Sequence, residues 1–408
     1  MKCRHCGFSV TQSFCDLNAS PPSNAYLDVG QLDMAEAWVP LRTFVCGKCF
    51  LVQTQDFHAS EELFLSNYGY FSATSSSWLK HCESFVEMIA KRLSLDEQSL
   101  VIELASNDGY LLQYVQDRHI PCLGVEPTLS TAEVARKKGI EVITEFFGTE
   151  LGERLADQGR SADLVIGNNV LAHVPNINDF LGGVTRLLKE DGVATFEFPH
   201  LLKLIQQRQF DTIYHEHYSY LSLLSVENIA NSVGLRVWDV DEIPTHGGSL
   251  RVYFQLSATG VRPISDAVKR LRKAEADAAL SDLATYAAFQ KETAKIKYDL
   301  LSFLIKQKRL GKTVAAYGAA AKGNTLLNYS GVRDDLISFV VDRSPGKLGR
   351  YMPGSKIPIV SEDLIHSEKP DFIMILPWNI AEEIEAQLSY VREWDAKFVR
   401  AIPELSVW

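Results

Sequence analysis

The chain has 408 residues, 46% of them hydrophobic and 23% charged, with a formal net charge of −10. That length exceeds one ordinary domain, and the composition is that of a folded globular protein rather than a disordered one. The acidic excess argues against nucleic acid or an anionic membrane as partner, while leaving room for a local basic pocket. No run reaches the ~18 apolar residues of a membrane span, and Met1-Lys-Cys-Arg-His-Cys6 carries no signal-peptide core, so a cytoplasmic protein is expected.

Four of the seven cysteines fall in two Cys-x-x-Cys pairs, Cys3-Arg-His-Cys6-Gly7 and Cys46-Gly47-Lys-Cys49. Each pair puts two thiolates on one knuckle, for which Gly7 and Gly47 supply permissive backbone. Two facing knuckles complete a closed tetrahedral zinc site, structural rather than catalytic. His5 sits inside the first knuckle, but four cysteines make it unnecessary as a ligand. Cys15, Cys82 and Cys122 stand alone and read as reduced packing residues. Residues 1–66 are therefore expected to form a zinc-binding module, with a loop at Ser20–Tyr26 and a strand from Trp38 to Val45. The module has no basic cluster and reads as a lid or scaffold for a neighbouring site. Asn67–Ser77 is a polar, aromatic linker holding Tyr68 and Tyr70, and chemistry alone favours a capping role ahead of an amphipathic helix near Trp78.

From Ser99 the pattern becomes strand, turn, helix, strand. Leu100-Val-Ile-Glu103-Leu104 leads into the turn Ala105-Ser-Asn107-Asp108-Gly109, and Cys122-Leu-Gly-Val-Glu126-Pro127 follows. A turn of small residues lets a ligand approach the backbone, and an acid ending the second strand can take both ribose hydroxyls. The three-glycine dinucleotide fingerprint is missing, which disfavours a pyrophosphate cofactor. Glu103 and Glu126 suit S-adenosylmethionine, with Ala105, Asn107, Asp108, Pro127 and Asn168 completing the expected cofactor set. The third strand ends in Asn168-Asn169-Val-Leu-Ala-His173 at the sheet's carboxyl edge, where ligands bind in open α/β folds, making Asn169 and His173 pocket candidates.

The stretch Phe210-Asp-Thr-Ile-Tyr214-His215-Glu216-His217-Tyr218-Ser-Tyr220 concentrates groups able to move or share a proton. Composition alone leaves catalytic and structural readings open. His246-Gly-Gly-Ser-Leu-Arg-Val-Tyr253 reads as a strand closing the sheet, with no chemical role. Residues 259–310 read as a helical connection. Lys312–Thr325 repeats the strand, glycine turn and helix logic, and the N–H groups of that helix start, with Lys322, can hold a phosphate.

In this order, the cysteine pairs, Glu-Leu-Ala-Ser-Asn-Asp-Gly-Tyr-Leu-Leu, Asn-Asn-Val-Leu-Ala-His-Val and the Tyr-His-Glu-His string resemble the deoxysugar 3-C-methyltransferases. Those are zinc-containing, S-adenosylmethionine-dependent enzymes acting on nucleotide-linked 4-keto sugars, and the resemblance runs nearly end to end. It implies an α/β enzyme: a zinc module, a Rossmann-like methyltransferase domain at 67–258 with its catalytic segment at 210–220, and a C-terminal Rossmann-like domain at 311–408. It implies His217 as the base at sugar carbon 3, with His215 its rival or a substrate contact, and Glu216 orienting it or sharing its proton. Tyr214 is implied at the enolate oxygen or the hydroxyl beside it. Tyr68 is implied to reach over the site, reversing the capping preference, and Asn169 and His173 to line the pocket. With a nucleotide-sugar as substrate, Lys322, Asn324 and Lys347 fall near its phosphates and Tyr317 or Trp378 near its base. The expected substrate is dTDP-linked and the expected enzyme a monomer. The alternatives are methylation at another carbon or oxygen, and a zinc-ribbon ligand sensor without catalysis.

Overall fold

The computed structural model describes residues 1–57 and 71–408, so Tyr68 lies outside the described residues. The first sheet pairs Gln12–Ser20 with Val39–Val45 and then Val52–Thr54, all antiparallel. Its fourth strand is Ser219–Tyr220, from the histidine-rich segment, with Gln53 facing Ser219 and Val52 facing Tyr220. The N-terminal module is thus knitted directly to that segment.

The four knuckle sulfurs lie within 4.8 Å of one another, with Cys3–Cys49 at 3.5 Å and Cys6–Cys46 at 3.6 Å. Zinc–thiolate bonds of about 2.3 Å in a tetrahedron separate sulfurs by roughly 3.8 Å, so the donor set fits zinc without rearrangement. The expected role of Gly47 needs correction. The left-handed positions follow each pair, at Gly7 (φ 69°) and Phe50 (φ 59°), whose amides donate to Cys3 O and Cys46 O at 3.0 Å. The knuckle turn closes one residue after the second cysteine, so permissive backbone is needed there, and Phe50 bears a strain of about 1 kcal/mol against its packing in the core.

The second sheet has seven strands in the order Leu235–Ile243, Ser249–Leu256, Leu188–Pro199, Ala162–Asn168, Val101–Leu104, Cys122–Val125 and Val142–Ile143. Only Ser249–Leu256 runs against the rest. Val101, Ile102, Leu104 and Leu123 are fully buried, as expected of strands covered on both faces. The helix Ser76–Leu93 covers one face with Cys82, Phe85, Val86, Ile89 and Ala90, a helical spacing, and Ser75 caps it by accepting from Trp78 N.

The third sheet orders Ile359–Val360, Val340–Val341, Val314–Tyr317, Phe372–Ile375 and Lys397–Arg400 in parallel, with Ser406–Val407 antiparallel at one edge. Helices Asp266–Asp277, Leu283–Ala287 and Phe289–Arg309 connect the second sheet to the third. The last of them returns to the zinc module, where Phe289 stacks on Phe14 at 4.6 Å and Thr293 meets Cys15. One apolar cluster joins Phe14 and Leu41 of the module, Phe210 and Ile213 of the histidine-rich segment, and Leu326 and Met374 of the C-terminal unit. Cys15 and Cys82 are buried and Cys122 partly so, all as free thiols. Among the described residues no helix is long and apolar enough to cross a membrane.

Candidate active site

Strand order in the central sheet reverses beside Val101–Leu104, which opens a crevice at the carboxyl ends of the strands. The turn there is held by backbone that few sequences accept. Ala105 and Asn107 have φ of 57° and 48°, and a Cβ on Gly109 (φ 74°) would lie 2.5 Å from Ile140 Cδ1. Glu126 accepts from Asn107 N at 2.9 Å and Thr128 N at 2.8 Å, which fixes its carboxylate at the end of the second strand. Burial raises its pKa, offset by those amides. Ser72 N and Ala73 N donate to the side chains of Asn107 and Asp108, laying the linker over the turn. Among the described residues, Glu103 and Asn168 are buried without a partner in good hydrogen-bond geometry, and Tyr110 approaches both. Burial drives the Glu103 carboxyl well above its usual range. Buried polar atoms left this way fit a ligand that brings its own hydroxyl and amino groups, as S-adenosylmethionine does.

Residues 214–217 form a tight turn, with His217 N donating to Tyr214 O at 2.9 Å, so the two histidines part company. His215 Nε2 faces Val39 O of the zinc module at 3.3 Å. His217 Nδ1 lies 2.9 Å from Thr212 O. A carbonyl only accepts, so Nδ1 carries the proton and Nε2 keeps its lone pair. The His217 ring lies 3.9 Å from that of Tyr214 and 4.6 Å, edge-on, from that of His173. Burial, with His173 next in weight, holds the His217 pKa well below the usual imidazole value. His173 is lowered by burial to about 4. Glu216 is buried and accepts from Asn24 Nδ2 of the zinc module at 2.8 Å, so the group that orients His217 is the Thr212 carbonyl.

Asn169, at φ 53°, donates from Nδ2 to His246 Nε2 at 3.3 Å. The sequence reading missed His246. It is open to solvent on one side, yet surrounding protein lowers its pKa to about 4. The glycine pair after it was the available signal, since a Cβ on Gly247 (φ 92°) would lie 2.4 Å from the Trp378 ring. Also missed was the buried Glu197, which binds His81 at 2.8 Å, Thr245 at 2.9 Å and Arg251 beneath the site.

The C-terminal candidates divide. Trp378 Nε1 donates to Asp211 Oδ2 at 2.7 Å and Lys322 Nζ lies 4.8 Å from the Trp378 ring, so both join the histidine-rich segment. Asn324 is buried and donates to Ser23 O of the zinc module. Tyr317 accepts from Gln387, and Lys347 donates to Ala319 O at 2.8 Å beside Asp342. Asp342 itself accepts from Ala319 N and Ser344 N at 2.8 Å each, as Glu126 does from its two amides.

A mostly parallel sheet whose second strand ends in an amide-held acid, beside buried polar groups and a four-sulfur site, defines an S-adenosylmethionine-dependent methyltransferase with structural zinc. Family models match as a zinc binding domain over residues 3–64, a methyltransferase domain over 78–240 and a C-methyltransferase C-terminal domain over 244–403. C-methyltransferase NovU of Streptomyces niveus is 33% identical over 403 residues, 99% of this chain and 96% of that one. The chain belongs to this C-methyltransferase family. Ubiquinone biosynthesis O-methyltransferase of Bartonella quintana (strain Toulouse) is 24% identical over 98 residues, 24% of this chain and 40% of that one. The PH0226 protein of Pyrococcus horikoshii OT3 matches at 16% identity and a TM-score of 0.38, covering 49% of this chain and 99% of that one.

Proposed function

We propose that this C-methyltransferase acts on carbon 3 of a nucleotide-linked 4-keto-deoxyhexose, dTDP-linked by expectation, through an enolate formed by His217. The observation that carries the reading is the Nδ1 to Thr212 O bond, which leaves Nε2 as a lone-pair acceptor among His173, Tyr214 and Tyr220. A C–H bond beside a ketone is the accessible carbon acid, and a positioned base must take its proton while the oxygen is stabilised. His217 Nε2 takes that proton, and Tyr214 hydrogen-bonds the oxygen or the hydroxyl beside it. Asn169 and His173 line the sugar site. S-adenosylmethionine, when bound, supplies an electrophilic methyl group. Glu126 takes its ribose hydroxyls, with Ala105, Asn107, Asp108 and Pro127 shaping the turn and Glu103 and Asn168 at its polar groups. Incubation with 13C-methyl cofactor and nucleotide-linked 4-keto sugars tests the assignment by NMR. A labelled methyl on carbon 3 supports it, whereas label on oxygen or another carbon overturns it.

Two further results are expected. Glu126→Gln keeps the side chain's volume but loses its charge, and charge-assisted hydrogen bonds of about 1.5–3 kcal/mol weaken. Calorimetric affinity for S-adenosylmethionine falls at least ~10-fold, and an unchanged affinity removes Glu126 from the site. The second concerns pH. The base works neutral, and burial depresses its pKa, so kcat/KM is lost only as pH falls through a value below the ordinary ~6.5. An acid limb above that value contradicts the assignment to His217.

A further inference from the structure

Lys322 sits in the first turn of the helix Ala321–Ser330, and that helix is seated on the histidine-rich segment, where Thr325 Oγ1 donates to Ile213 O at 3.0 Å. Its Nζ donates to Asn379 Oδ1 at 2.7 Å and lies over the Trp378 ring. Trp378 in turn holds Asp211, a fully buried acid whose other oxygen has no hydrogen-bond partner among the described residues. No described carboxylate comes within ion-pair distance of the Lys322 ammonium. An ammonium has three donors, and among the described residues Lys322 makes one bond to an amide and lies over one aromatic face, with Asp211 acting on it only through space. A half-buried cation in that state is stabilised by an anion arriving with the substrate.

Two parts of the substrate can bring that charge: its phosphates, throughout the reaction, and the ketone oxygen, only once carbon 3 is deprotonated. Position favours the second. The Trp378 ring under the ammonium is bonded to Asp211 of the histidine-rich segment, and Gly247, next to His246, packs against the same ring. Lys322 therefore faces the side of the site that holds His217 and His246, both of which its charge also disfavours from protonating. Lys347, ion-paired with Asp342 at 3.5 Å and donating to the Ala319 carbonyl, is a separate cation at the carboxyl ends of the third sheet's strands. We propose that Lys322 is a catalytic residue, its ammonium hydrogen-bonding the enolate oxygen at carbon 4 while His217 deprotonates carbon 3. This rests on the enolate reading above. His217 Nε2 receives the proton, the C–H pair becomes the C3–C4 double bond, and the carbonyl pair moves to the oxygen facing Lys322. The oxygen pair then re-forms the ketone while the C3–C4 π pair forms the bond to the methyl group that S-adenosylmethionine would supply, its sulfur keeping the pair of the bond that breaks. Lys322 keeps its own proton throughout. The C-terminal unit would then contribute to the chemistry as well as to binding.

Lys322→Met, Lys322→Gln and Lys322→Arg in the full chain test this, with zinc content, melting temperature and S-adenosylmethionine affinity as controls of folding. For the two neutral variants, kcat and deuterium uptake at sugar carbon 3 fall together by about 10²–10³-fold. KM for the nucleotide-sugar stays within ~3-fold, and Lys322→Arg recovers part of the rate because a positive donor returns. A large rise in KM with kcat retained, or carbon 3 exchange as fast as in the parent, overturns the role of Lys322. Should one neutral variant fail the folding controls, the other carries the comparison. Failure of the parent enzyme itself to exchange carbon 3 while it methylates refutes the enolate reading instead, so the two failures are distinguishable.

Discussion

His217→Asn is expected to lower turnover by about 10³-fold, within the ~10²–10⁴ that a positioned base contributes, while leaving S-adenosylmethionine affinity unchanged. Asparagine can still donate to the Thr212 carbonyl where Nδ1–H did, so the tight turn keeps its anchor. It offers no basic nitrogen at the Nε2 position. The cofactor turn is fixed by Glu126, Asn107 and Thr128 and shares no bond with this side chain, so binding and chemistry separate in the variant. The matching change at His215, whose Nε2 faces Val39 O in the zinc module, is expected to act on stability before rate. Stopped assays of methyl transfer beside calorimetric titration check both. A His217→Asn enzyme with near-parent turnover removes His217 from the mechanism.

Cys46→Ser is the second large effect. Structural zinc contributes about 10–16 kcal/mol to small thiolate sites, far more than a sixty-residue module can supply from its own core. Losing the ion costs more than the module here. Thr54 N and Oγ1 hold the backbone oxygens of Tyr218 and His217 at 3.1 and 2.9 Å, and Arg4 Nη1 holds Pro175 O just beyond His173 at 2.8 Å. His5, unused by the sulfur site, bonds Asn178 at 2.8 Å. Both knuckles therefore brace the loops that carry His173 and His217. Turnover and the thermal transition should collapse together in Cys46→Ser, and zinc content measured by elemental analysis should fall with them. Parent-level turnover in a zinc-free variant would show that the module is dispensable.

Much of this organisation was legible in the chain because local rules produce it. Paired cysteines, a small-residue turn after an apolar strand, and an acid ending the next strand each report their own backbone. Domain class followed from those, and the likeness to C-methyltransferases from their order. What could not be read was convergence between distant parts. Ser219–Tyr220 continues the zinc module's sheet, yet two residues carry no strand signal of their own. Asn24 reaches Glu216, and Trp378 reaches Asp211, because a shared apolar cluster draws three units together. His215 and His217 face opposite partners because the segment is a turn, a geometry that neither helical nor strand periodicity describes. His246 went unassigned because its strand looked sufficient, although Gly247 was already marking a close approach to Trp378.

The most direct measurement follows deuterium at the carbons beside the ketone of a nucleotide-linked 4-keto-deoxyhexose in heavy water, with parent enzyme and with His217→Asn. Uptake confined to carbon 3 in the parent and lost in the variant is the result predicted. Methylation by the parent without deuterium in recovered substrate or at carbon 3 of its precursor pool, or equal uptake in the two proteins, would contradict an enolate made by His217.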